Sequence, residues 1–313
     1  METRIEIQQY IPALQPEWDY FIANSRNGTF LFFRNYMDYH SDRFIDNSLL
    51  FRYKGKLIAV LPANREGDVL WSHQGLTYGG LVLSSKCTAD RVLNIFSLLF
   101  SWLSERGFSK LVYKCVPDIY HRYPSQEDLY ALFRNNARLV ARNLSTTVSI
   151  PCRIPFSQLR RRGIKRALSC GIVVQESSDL ENFWRVLSEN LSDRYNRLPV
   201  HTVEEMSLLK GRFPNNIRLF TACKGERVVA GCVIFEMDEW VHSQYISASP
   251  EGKFGALDLL FHYLITDRYS DRKVFDFGQS TENKGSFLNS GLIAQKEGFG
   301  GRGIVYDTYE LSW

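Results

Sequence analysis

The feature that most constrains this chain is that it carries one pattern twice. From Ser48 it reads SLLFRYKGKLIAVLPANREGDVLWSHQG, and from Asn216 it reads NIRLFTACKGERVVAGCVIFEMDEWVHSQY. Each stretch is an apolar strand, a Lys-Gly turn, a second apolar strand, an acidic turn, and a strand that opens with Trp. Lys54-Gly55 aligns with Lys224-Gly225 at an offset of 170, and Trp71 with Trp240 and His73 with His242 at 169. Glycine in such turns supplies the positive φ that tight hairpins need. An amphipathic segment follows in each copy. In Thr88–Arg106 the apolar residues Val92, Ile95, Phe96, Leu99 and Leu103 recur at helical spacing, with Thr88 as N-cap and Gly107 as stop. Phe254–Tyr269 is its counterpart, and the strands Lys110–Lys114 and Lys273–Phe277 come next. A helix that crosses over and returns a strand parallel to the third one gives a mixed sheet with helices on its faces. Repeats fix the fold before any local detail does. The expected fold class is therefore α/β (an α+β mixed sheet), with two like domains related by internal duplication, 1–150 and 151–313. The lead-in segment is Pro16–Phe44 in the first copy. In the second it contains helices over Leu159–Ser169, Leu180–Leu191 and Val203–Phe213 and a strand at Ile172–Gln175.

Length agrees with two domains, since 313 residues exceed what one core usually serves. Hydrophobic content of 44% and charged content of 23% are those of a folded chain. The net charge of +4 permits a phosphate-bearing partner without arguing for one, and gives no reason to expect DNA binding. The six cysteines have no C-x-x-C spacing, and the histidines no H-x-x-x-H spacing. Packed, reduced thiols and no metal site are expected. The N-terminal Met1-Glu2-Thr3-Arg4 does not open an apolar stretch, and Val92–Leu103 is too short to span a bilayer. The expectation is a cytoplasmic protein without a membrane span.

Four stretches carry a likeness to a known family. They are Arg160–Ala167 with Gly171–Val174, then Gly231–Phe235, Val274–Gly278, and Gln295-Lys296-Glu297-Gly298-Phe299-Gly300. The pattern resembles the GNAT superfamily of N-acetyltransferases. Within it, the chain looks most like the tandem-domain branch that includes the Fem family of peptidoglycan-bridge aminoacyltransferases. The last stretch resembles that branch's Phe-Lys-x-Gly-Phe-Gly ending. The resemblance implies two tandem GNAT-like domains, with the active site in the second. Acetyl-coenzyme A users carry an R/Q-x-x-G-x-G/A loop whose N–H groups cradle a pyrophosphate at a helix N-terminus. The matching stretch here, Ser249–Ala256, lacks the Arg or Gln, spaces its glycines one residue too far apart, and contains Glu251. Ser247, Gly252, Lys253, Phe254 and Gly255 are the candidate residues for acyl-coenzyme A on this degenerate loop. Aminoacyl-tRNA is the other donor that the resemblance implies. The first copy has no glycine in Leu83–Thr88, so no donor site is expected there.

Acyl transfer to an amine needs a base, a group that stabilises the oxyanion, and protonation of the leaving atom. Lys296, matched to the family lysine, is the candidate oxyanion cation. Asp276 and Glu282 are candidate bases. Strand alternation over Trp240–Ala248 sets Trp240, His242, Gln244 and Ile246 on one side and Val241, Ser243, Tyr245 and Ser247 on the other. Tyr245 is the candidate proton donor. His242 is set aside because His73 occupies its place in the first copy. Arg194, Tyr195 and Arg197, read as a loop between helices, are candidates for gripping an anionic acceptor. The five Lys/Arg of Arg160–Arg166 are either a phosphate contact or a solvated face. The first functional reading is an N-acyltransferase that moves an acyl or aminoacyl group to an amine on a sugar, amino acid or cell-envelope precursor. The second is a catalytically inactive relative that binds a ligand or partner. A nucleic-acid binder is a third.

Overall fold

The computed structural model describes residues 5–313, with the side chains of Arg194 and Tyr195 set aside. The chain divides into two compact units. One is Met1–Asn143 with Lys284–Ser286 and Val305–Trp313; the other is Leu144–Asn283 with Phe287–Ile304. The first cut falls at Asn143/Leu144, ahead of Ile150, and the C-terminal residues are part of the first unit.

The first unit opens with β1 (Ile5–Gln9), α1 (Gln15–Asn24), the single turn α2 (Arg34–Met37) and the short β2 (Ile45–Asp46). The strands β3 (Leu49–Tyr53), β4 (Lys56–Leu61), β5 (Asn64–Glu66), β6 (Val69–Trp71) and β7 (Val82–Leu83) follow. Then come α3 (Ala89–Ser104), β8 (Lys110–Lys114), α4 (Glu127–Arg134) and the long β9 (Arg138–Ser149). One sheet has the order β1-β3-β4-β7. In another, β8 pairs in parallel with β6, beyond which lie β5 and β2. The face of α3 that the 3–4 spacing identified is buried, with Val92, Ile95, Phe96, Leu99 and Leu103 all at 0% exposure. Each such side chain contributes about 1.5–3 kcal/mol on leaving water. Thr88 does stand at the N-cap, but its side chain accepts no backbone N–H. Gly107 ends the helix at φ 73.

The second unit holds α5 (Gln158–Ser169), β10 (Ile172–Ser177), α6 (Leu180–Tyr195), α7 (Val203–Arg212), β11 (Ile217–Lys224), β12 (Arg227–Glu236) and β13 (Trp240–Ala248). These are followed by α8 (Ala256–Tyr263), β14 (Val274–Gln279), the short pair β15 (Thr281–Glu282) and β16 (Phe287–Leu288), α9 (Ser290–Glu297) and β17 (Arg302–Ser312). Its strands run in the order β10-β11-β12-β13-β14-β9, antiparallel except for β13 with β14. The helix expected over Phe254–Tyr269 is shorter. A 3-10 turn at Pro250–Phe254 precedes it, and a π turn at Leu264–Arg268 follows. Arg194 and Tyr195, expected in a loop, are the last residues of α6, which Asn196 closes in the left-handed region.

The ladders correct the alignment of the two copies. The hairpin closed by Tyr53 and Lys56 matches the one closed by Lys224 and Arg227, so Lys54-Gly55 corresponds to Gly225-Glu226, at an offset of 171. The turn chemistry differs accordingly. Lys54 and Gly55 both have positive φ, as in a type I′ turn; in the other turn only Gly225 does, as in type II′. A bulge falls at the same place in both, between Phe51 and Arg52 and between Ala222 and Cys223. Leu70, paired with Leu111, then matches Val241, paired with Phe275, and all four are core residues at 0% exposure. Trp71 therefore corresponds to His242, and His73 does not. The Trp and His alignments read from sequence were two residues out because identical letters outweighed register.

Candidate functional site

β13 and β14 are hydrogen-bonded partners only over Trp240–His242 and Val274–Asp276. Beyond that rung the strands part. The cause lies on both sides. Opposite Val233 and Ile234, β13 carries a bulge at Gln244, where Ser243 pairs with Ile234 and Tyr245 with Val233. On β14, Gly278 turns at φ 75 and the register to β9 shifts between Asp276 and Gln279. A one-residue bulge reverses the alternation that follows it. Val241 and Ile246 consequently share the core face toward α8, and the alternation expected from Trp240 to Ala248 is corrected at Gln244.

The parted strands border a cavity of about 670 Å³, lined in part by Ile246, Phe261, Phe277 and Phe299 and by the polar side chains of Arg160, Asn190, Arg197, Glu282, Gln295 and Lys296. Lys296, on α9, is 4% exposed, and its ammonium donates to the carbonyls of Gly278 and Gln279, both at 2.8 Å. Those carbonyls converge because Gly278 adopts the left-handed conformation, which glycine reaches without the steric cost a side chain would add. Burial lowers the Lys296 pKa to about 8, opposed by the nearby Asp276 carboxylate. Two of its three donors are spent on backbone, and the ammonium remains in the cavity wall.

Asp276 is fully buried. Its Oδ2 lies 2.7 Å from His242 Nδ1, and its Oδ1 accepts from Ser145 Oγ at 2.6 Å and from the Gly278 amide at 3.0 Å. Asp276 is not among the lining residues; it fixes the turn whose carbonyls hold Lys296. His242, set aside in the sequence, forms one half of this buried pair and, like Asp276, is not among the lining residues. Strand register, and not sequence spacing, brings the two together.

Tyr245 also lies off the cavity. Its ring meets Trp184 of α6 edge-on, with centroids 5.1 Å apart. Its hydroxyl accepts from the His201 amide at 3.2 Å and pairs with His201 Nδ1 at 2.6 Å. Burial raises its pKa to about 12. It pins the segment that follows α6 to the sheet. Ser247 lines the cavity, and its hydroxyl donates to the Val186 carbonyl at 3.2 Å. Glu282 and Arg197 are exposed at the rim. The side chains of Arg194 and Tyr195 lie outside the described part of the structure.

In the loop before α8, Gly252, Lys253 and Gly255 line the cavity, whereas Phe254 lies off it under the Arg166 guanidinium, 4.6 Å from the ring centre. Both glycines answer to packing. A Cβ at Gly252 would stand 2.3 Å from the Val229 carbonyl, and one at Gly255 would stand 2.1 Å from the Gly163 carbonyl of α5. The Gly252 amide donates to Ser249 O at 2.9 Å, and the Gly255 amide donates to Gly252 O. Asp258 occupies the first turn of α8, 2.5 Å from Arg160. Burial raises its pKa, and Arg160 opposes the shift. Spent amides and an acidic first turn do not fit a pyrophosphate cradle. Among the described residues no group of three His, Cys, Asp or Glu side chains is arranged to hold a metal ion, and no helix is long and apolar enough to cross a membrane.

The strand order, the splayed parallel pair and the repeated hairpin define a tandem GNAT fold of the Fem-like kind. Residues 157–283 match the family model described as an acetyltransferase (GNAT) domain. Among solved structures, the chain is similar to FemX (TM-score 0.69, 11% identity, covering 98% of this chain and 97% of that one). It is also similar to L-PGS from Bacillus licheniformis (0.62, 12%, 96% and 90%). A third is a tandem GNAT protein from the clavulanic acid biosynthesis pathway (0.54, 10%, 99% and 98%). No curated protein matches the sequence.

Proposed function

We propose that this protein transfers an acyl or aminoacyl group from an activated donor to an amine, with the chemistry in the cavity of the second unit. The observation that carries the reading is the buried Lys296 ammonium, held by two backbone carbonyls in the wall of the crevice where β13 and β14 part. An amine that attacks the donor carbonyl forms the C–N bond and loses a proton. The carbonyl oxygen gathers charge, and the C–O or C–S bond to the carrier then breaks, with a proton going to the leaving atom. A fixed cation beside that oxygen stabilises the developing oxyanion. On this reading Glu282, exposed at the rim, takes the amine proton. Asp276 acts through the Gly278 turn and not on substrate.

The loop before α8 favours an aminoacyl ester over a coenzyme A thioester, for the reasons of spent amides and acidic charge given above. The exposed Arg161, Arg162, Lys165 and Arg166 of α5 supply the cationic surface that a tRNA carrier needs. The acceptor on this reading is an amine of a small molecule or cell-envelope precursor. Hydroxylamine, a small general amine, tests the proposal. Wild-type protein should speed aminoacyl-hydroxamate formation from charged tRNA over the protein-free rate, and Lys296→Ala should not. Hydroxamate formed from acetyl-coenzyme A instead would move the donor to the thioester. Silence with both would leave a ligand-binding relative without transfer activity.

A further inference from the structure

The first unit has a cavity of its own, about 760 Å³, between α1, the β3–β4 turn and the segment leading into α3. It is lined by Lys54, Lys56, Lys86 and Arg91, and by the exposed ring of Tyr20. Among the described residues the one acidic side chain in the lining is Glu17, held by Arg52 through two bonds of 2.7 and 2.6 Å, so its charge is answered outside the cavity.

The second copy carries different charges at this place. Lys56 follows its turn as Arg227 follows the other. The segments before the helices also superpose in their bonding. Ser84 N donates to Ile58 O as Ser249 N donates to Val229 O, all at 2.9 Å. Cys87 N donates to Ser84 O as Gly252 N donates to Ser249 O. Lys86 is therefore the counterpart of Glu251. In the second unit these two positions are Arg227 and Glu251, an ion pair at 2.9 Å. In the first unit both are lysines. Among the described residues neither Lys56 nor Lys86 meets a carboxylate. Two like charges on one cavity repel, and a bound anion relieves that repulsion.

We infer that this cavity is a binding site for a phosphate-bearing small molecule, with Lys56 and Lys86 gripping the phosphate. Its volume is that of a site for a ligand of nucleotide size. The assignment is independent of the transfer reading, and its readout requires no turnover.

The test is calorimetric titration of the full chain with ADP and with inorganic pyrophosphate, repeated on Lys86→Glu. That variant gives the first copy the opposite charges that the second already has, so it should melt no lower than wild type. Wild type should bind at least one of the two probes, more weakly as salt rises. Lys86→Glu should weaken that binding at least ~10-fold, since removing a charge-assisted contact and adding a like charge to the ligand together exceed the ~1.4 kcal/mol that corresponds to that factor. Glu251→Lys, in the other unit, should leave it unchanged. No binding of either probe at millimolar concentration, or equal binding by Lys86→Glu, would overturn the assignment. Retention of a short single-stranded RNA through Lys86 without binding of either probe would overturn it in favour of a nucleic-acid surface.

Discussion

His242 Nδ1 lies 2.7 Å from Asp276 Oδ2 at the last paired rung of β13 and β14, immediately before the strands part. From that pair a continuous chain of bonds reaches the cavity. Asp276 takes the Gly278 amide, and the Gly278 carbonyl takes the Lys296 ammonium. The position of the cation is thus set by a buried carboxylate two residues before Gly278 on β14.

Replacing Lys296 by Met should lower the transfer rate by about 10²–10³-fold, the usual cost of one lost oxyanion donor. The pH profile separates this from a loss of packing. The Lys296 pKa is lowered to about 8, so its charge is lost as pH rises through that value. Wild-type turnover should fall above pH ~8, and the residual activity of the variant should lack that limb. A limb retained in the variant would remove Lys296 from the chemistry.

Gly278→Ala forces a side chain into φ 75 and sets its Cβ 3.3 Å from His242 Cε1. A left-handed conformation costs a non-glycine residue about 1–2 kcal/mol. The unfolding free energy should drop by that amount, read as a lower denaturation midpoint at an unchanged slope. An unchanged midpoint would show that the turn is not held as described.

Tyr245→Phe removes the partner of the His201 amide and Nδ1, a loss of about 1 kcal/mol or somewhat more for buried groups left unpaired. Because Tyr245 lies off the cavity, the melting temperature should fall while the transfer rate of the folded protein holds. A loss of rate at full stability would restore Tyr245 as a proton donor.

Asp128 is buried against Tyr113, whose hydroxyl donates to it at 2.7 Å, and burial raises its pKa to about 6. An unfolded aspartate titrates near ~3.9. Between those values the folded state keeps a proton that the unfolded state has lost, so this group's contribution to stability declines as pH rises and is lost above about 6. Asp128→Asn should therefore gain on wild type in denaturant midpoint from pH ~4 to ~6. A constant difference across that window would show that the carboxyl is not raised.

The repeat and the strand and helix order were legible in the sequence because they depend on local spacing, whereas Lys296 came only through the likeness of its stretch to the Phe-Lys-x-Gly-Phe-Gly ending. Apolar period, Gly turns and short motifs survive in one dimension. What stayed hidden depends on register. Gln244 adds one residue to β13 and turns Tyr245 toward α6. The same kind of register sets His242, and not Trp240, in line with Trp71 of the first copy's β6. Identical letters at Trp71 and Trp240 drew the eye to an alignment that hydrogen-bonded ladders do not allow.

The sequence by itself determined that two like α/β halves form, since each strand and helix carries its own apolar period and its own turn. Only the tertiary structure decided which polar groups meet: Lys296 with the Gly278 carbonyl, Asp276 with His242, Arg227 with Glu251 but Lys56, among the described residues, with no carboxylate. Such pairings join residues distant in the chain, and a shift of one residue in any ladder moves a side chain to the opposite face of its sheet.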